Sequence, residues 1–75
     1  RGAGNMAYHF KSSVLSTADY DEPSGVLTLY LHSGTGYMYA NVPRETFRDL
    51  MLADSAGQFF HKNIRSHFQG TKIEE

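Results

Sequence analysis

A chain of 75 residues supplies one hydrophobic core and not two, so a single domain is expected and a multidomain enzyme is excluded within these residues. With 40% hydrophobic, 13% aromatic and 20% charged residues, it is too apolar for a disordered tail and too interrupted by charge for a membrane span. Seven Lys+Arg against eight Asp+Glu give a formal charge of -1 and no cysteine is present, which excludes bulk electrostatic binding of nucleic acid, disulfide staples and thiolate zinc sites, and leaves only a local basic patch.

The segment Arg1-Gly2-Ala3-Gly4-Asn5 has almost no apolar surface and precedes Met6. Residues 1–5 therefore read as a remnant ahead of the native start or a disordered end, and residues 6–70 as the domain. No apolar stretch of roughly 7 to 15 residues follows a basic start, so no signal peptide is expected and the cytoplasm is the expected location. No internal repeat is visible.

A first strand is expected over Ser13–Tyr20, where Val14, Leu15, Thr17, Ala18 and Tyr20 precede the turn formers Asp21-Glu22-Pro23-Ser24-Gly25. The next, Val26–Leu31, carries Leu27, Leu29 and Leu31 at period two and hence on one face. His32-Ser33-Gly34 fits a three-residue hairpin loop with Gly34 in the left-handed position. That loop sets Leu29 opposite Tyr37 and Leu27 opposite Tyr39, on the core side. A two-residue loop would instead bring Tyr30 near Tyr37 and separate the tyrosines from the leucines.

After a third strand, Tyr37–Val42, a helix is expected over about Pro43–Ala53. Pro43 suits its first turn, and Phe47, Leu50 and Met51 form its apolar stripe. Ser55 caps a second helix in which Gly57 falls in the first turn and Phe60, Ile64 and Phe68 recur at i, i+4 and i+8. Gly70 fits its end, and residues 71–75 read as a frayed tail. The expected fold is α+β: a three-stranded antiparallel meander with two helices packed on one face.

Ser12-Ser13, Ala18-Asp19-Tyr20-Asp21, Leu27-x-Leu29-x-Leu31, Ser33-Gly34, Tyr37-x-Tyr39, Val42-Pro43 and Ser55-x-Gly57-x-Phe59-Phe60-x-x-Asn63-Ile64-Arg65-x-x-Phe68 together resemble the KTSC domain family, across nearly the whole chain. That family is named for the C-terminal extension of some lysyl-tRNA synthetases. The resemblance implies a small module that occurs alone in bacteria and phages or fused to a synthetase, with an RNA-binding role proposed from the fusion. It also implies that Tyr20, Tyr37, Tyr39, Pro43, Gly57, Phe60, Asn63, Ile64 and Phe68 are motif residues of mainly structural duty. His61 departs from the pattern, similar sequences often carrying Asn there.

Catalytic chemistry finds no support in the residue pattern. The chain has no nucleophile elbow, phosphate-binding glycine loop or readable carboxylate pair. Of the four histidines, His61 and His67 share a helix, but a spacing of six turns their rings to different faces, so no metal site and no cofactor are expected. Tyr37 and Tyr39 could stack bases if exposed; the three-residue register puts them in the core with their hydroxyls near the rim.

The polar surface carries more. Arg44 and Arg48 lie at i, i+4 on the first helix, and Lys62 and Arg65 at i, i+3 on the second with His61 near by, forming a candidate RNA- or anion-binding patch. For Arg65 the alternative is a structural ion pair with Asp19 or Asp49. The expected function is a non-enzymatic interaction module whose partner is single-stranded or tRNA-like RNA. The alternative is a protein-interaction or self-associating module using the sheet face formed by Val26, Thr28, Tyr30, Met38 and Ala40. A monomer is favoured and no membrane is implied.

Overall fold

The leucine alternation of residues 27, 29 and 31 defines the middle of the molecule. In the computed structural model, which describes residues 5–73, β3 (Val26–Leu31) is the third strand of a five-stranded antiparallel sheet. The strand order follows the chain: β1 (Asn5–His9), β2 (Leu15–Asp21), β3, β4 (Gly36–Tyr39) and β5 (Gly70–Ile73). Between β4 and β5 in sequence come α1 (Arg44–Leu52), α2 (Ala56–Phe59) and a π-helix (Phe60–Arg65) that continues α2 without a break. Among the described residues no helix is long and apolar enough to cross a membrane.

The α+β class agrees with the sequence expectation, but the strand count does not. Both additional strands lie at the sheet edges. β1 pairs with β2, Met6 opposite Tyr20 and Tyr8 opposite Ala18. Pairing of this kind is a tertiary contact, and no local period announces so short a segment. Asn5, grouped above with the disordered start, opens β1 opposite Asp21; residues 1–4 lie outside the described residues.

At the other end the helix stops at Arg65 rather than near Gly70. The Ile64 carbonyl accepts from the amides of His67 and Phe68 at 3.2 and 2.9 Å, and the chain turns back along β4. Gly70, Thr71, Lys72 and Ile73 pair with Tyr39, Met38, Tyr37 and Gly36, so residues 71–73 are a strand and not a frayed tail. Residues 74–75 lie outside the described residues.

The three-residue loop is the one formed. Leu27 pairs with Tyr39 and Leu29 with Tyr37, the Leu31 amide donates to the Thr35 carbonyl at 2.8 Å, and Gly34 adopts φ 100°. β2 begins two residues later than expected because the Ser12 hydroxyl accepts from the amides of Val14 and Leu15, at 3.1 and 3.2 Å, and holds the chain in a turn. A bulge follows: Leu15 pairs with Leu31 but Thr17 with Tyr30. The extra residue lets Leu15 and Ala18, three positions apart, both face the core with Tyr20. β4 ends at Tyr39 rather than Val42 because Asn41 turns into the left-handed region at φ 61°.

The core lies between the sheet and the helices and contains Leu15, Tyr20, Leu27, Leu29, Tyr39, Val42, Phe47, Leu50, Phe60 and Ile64. Tyr20 stacks on Phe47 with centroids 4.8 Å apart and donates its hydroxyl to the buried Val42 carbonyl at 2.6 Å. The Val42 amide in turn donates to Gly25 at 2.8 Å. Gly25, at φ 75°, takes a backbone conformation strained for any side chain, and its turn anchors the entry to α1.

The helices cover one face only, as expected. Val26, Thr28, Tyr30 and Met38 line the opposite one, where β5 adds Ile73.

Candidate functional site

Ser55 caps α2, its hydroxyl accepting from the Gln58 amide at 3.3 Å. Gly57 is buried there against Val14 and Ser12. The widened winding of the π-helix then presents Phe60 and Ile64 to the sheet. The Phe60 ring lies over both tyrosines of β4, with centroids 6.2 Å from Tyr37 and 6.0 Å from Tyr39. Tyr39 is 3% exposed, whereas Tyr37 is half-buried, so the two are not equivalent core residues as the register alone suggests. Tyr37 lies two residue pairs nearer the hairpin loop.

Burial pushes the Tyr39 hydroxyl above its ordinary pKa, Arg65 pulls it back and Tyr37 adds to the rise. Arg65 is exposed at the end of the π-helix, five residues beyond Phe60. The His61 ring packs 5.4 Å from that of Phe60. Lys72 sits directly opposite Tyr37 across the β4–β5 pair, and directly opposed residues share a face.

The candidate cations thus divide into two groups. On α1, Arg44 is engaged by Glu22 at 2.7 Å, and Arg48 has the adjacent Asp49 at 3.9 Å. Between α1 and the π-helix runs a groove of about 370 Å³ lined by Thr46, Asp49, Phe59, Asn63, His67 and Phe68. No lysine or arginine lines it. On the π-helix, Lys62 and Arg65 are exposed, and among the described residues neither forms an ion pair, so the expected alternative of Arg65 with Asp19 or Asp49 is not formed. Lys72 joins them. Sequence reasoning missed it because it stood in a segment read as tail; the only signal was the Thr71-Lys72-Ile73 alternation, too short to carry a strand.

The motif residues are mostly structural. Tyr20, Tyr39, Phe60 and Ile64 are buried, Phe68 packs against the core, and Pro43 precedes α1 as its cap at φ -66° and ψ 152°. Asn63 differs: it is exposed in the groove beside Asp49 and His67. His61 lies in the π-helix but His67 in the turn after it, so the two do not share a helix as expected, because the helix stops at Arg65. His32 donates from Nε2 to the Ser12 carbonyl at 2.8 Å, tying two loops together. Among the described residues no three His, Asp or Glu side chains gather as a metal site.

A five-stranded antiparallel sheet covered on one face by a short helix pair, with a basic and tyrosine-bearing edge, defines a small α+β module rather than a pocketed domain. The KTSC domain pattern matches residues 11–68, and the chain belongs to the KTSC domain family. A crystal structure of a KTSC domain protein from Yersinia pestis superposes with a TM-score of 0.83 at 28% identity, covering 93% of this chain and 99% of that one. A protein from Tsukamurella paurometabola is 33% identical over 63 residues, 84% of this chain and 94% of its own length. A lysine–tRNA ligase from Nostoc punctiforme is 36% identical over 59 residues, which are 79% of this chain and 10% of the ligase.

Proposed function

We propose that this domain is a non-enzymatic, cytoplasmic interaction module whose partner is RNA, single-stranded or tRNA-like. The observation that carries this reading is the occurrence of a similar segment within proteins that by name join lysine to tRNA. The local chemistry supports it: Lys62 and Arg65 stand exposed on the π-helix, while a net charge of -1 makes binding depend on that patch rather than on the whole field. Arg44 contributes less, since Glu22 already engages it. Fluorescence anisotropy with tRNA and short RNAs at two salt concentrations tests the proposal, because phosphate contacts weaken as salt rises. Absence of salt-sensitive binding at tens of micromolar protein, on the order of nonspecific affinities, would remove it.

A second reading rests on the uncovered sheet face, where Met38 is 41% exposed beside Val26, Thr28, Tyr30 and Ile73. A self-associating or protein-binding module would use that face.

A further inference from the structure

We propose that the inner-face edge of β4–β5 holds a phosphate-binding subsite made by Arg65, Lys72 and the hydroxyls of Tyr37 and Tyr39, which takes a backbone phosphate of RNA. The inference deepens the RNA reading and rests on it for the identity of the ligand. The geometry itself stands on three observations.

First, Tyr39 is held. Its ring lies between Phe60, with centroids 6.0 Å apart, and the backbone of Gly70, its cross-strand partner. Tyr39 is 97% enclosed, and its hydroxyl makes no hydrogen bond to any described residue. Second, Tyr37 stands beside it, with ring centroids 6.4 Å apart. Third, two cations from different elements border the same edge. Arg65 ends the π-helix five residues, about one turn, beyond Phe60, whose ring lies over both tyrosines, and Lys72 faces Tyr37 from β5. Neither is ion-paired among the described residues.

Such a set suits a phosphodiester. A guanidinium fork and an ammonium neutralise the charge, and the phenol hydroxyls donate to the remaining oxygen positions. Glycine at 70 is part of the arrangement, because a side chain there would drive the Tyr39 ring out of place. Neither Arg65 nor Lys72 lines the groove that contains Asp49.

The test uses the whole chain, a fluorescein-labelled single-stranded RNA and inorganic phosphate. Arg65→Gln and Lys72→Gln should each weaken RNA binding about tenfold at low salt and lower the slope of log K against log salt by about 0.7. Arg48→Gln on α1 should do neither. Tyr39→Phe keeps the ring in the core; it should leave the melting temperature unchanged and weaken binding about fivefold. Independently, phosphate should shift the NMR signals of the Arg65 side chain and the Gly70–Lys72 amides.

RNA binding with an unchanged salt slope in both cation variants would overturn the subsite and leave the RNA reading intact. Phosphate shifts at this edge without any RNA binding would support the anion site and remove RNA as its source. Equal shifts with acetate would overturn the assignment to phosphate.

Discussion

The ring of Tyr39 lies so close to Gly70, its partner across the β4–β5 pair, that a β-carbon at position 70 would come within 2.9 Å of the ring's Cζ and 2.8 Å of its Cδ1. Phe60 blocks retreat on the other side. Gly70→Ala should therefore destabilise the fold by about 1 to 3 kcal/mol through overpacking, read as a lower urea midpoint. Gly57→Ala is the contrast: the added carbon meets Val14 at 3.5 Å, an ordinary contact, in a helix where alanine is the better residue. Its midpoint should hold or rise. Equal loss in both variants would contradict this packing account.

Truncation separates the two tyrosines of β4. Tyr39→Ala empties a core site and should cost roughly 3 to 5 kcal/mol, enough to unfold much of a domain whose total stability is about 5 kcal/mol. Tyr37→Ala, at a half-buried site, should lower the melting temperature but leave a folded protein. An unchanged melting temperature for Tyr39→Ala would refute the core assignment and return these rings to the role of a stacking platform.

Stability should decline at alkaline pH. Burial raises the Tyr20 hydroxyl above its usual pKa, with Glu22 and Glu45 adding and Arg44 opposing; burial raises Tyr39 likewise, with Arg65 opposing. The unfolded chain ionises these groups near pH 10, while the folded chain holds their protons longer. Their contribution is thus fully present below about pH 10 and is lost as pH rises through the higher folded values. Urea midpoints across that range, compared with those of Tyr20→Phe, check it: the variant should start about 1 to 3 kcal/mol less stable, because the Val42 carbonyl loses its donor, and should fall less steeply. Parallel alkaline slopes would contradict the linkage.

On the uncovered sheet face, Met38 is the position that tests self-association. The Tyr30 ring lies against Gly36, where an added β-carbon would meet it at 3.0 Å, so Tyr30 has a structural duty of its own and its substitution confounds the result. Met38→Glu changes an exposed side chain and should keep the melting temperature. If sedimentation shows a concentration-dependent dimer, Met38→Glu should dissociate it; a dimer that survives uses another surface.

Local periodicity carried most of this fold. The period-two leucines of β3, the Ser33-Gly34 loop and the stripes of Phe47 with Leu50 and Phe60 with Ile64 each settle within a few residues which face is apolar. From these alone followed the α+β class, the hairpin register and the burial of Tyr39. What sequence alone left undecided depends on contacts between distant segments. β1 and β5 are short edge strands whose pairing with Tyr20 and Tyr39 is a tertiary event. The grouping of charges was equally hidden: helical spacing put Arg44 and Arg48 with Lys62 and Arg65, but Glu22, 22 residues from Arg44, engages the first, and Lys72 joins Arg65 only because β5 returns beside Tyr37. Spacing along one element reports which side chains share its face; which faces meet is decided by how the elements pack, and here that packing placed the basic edge.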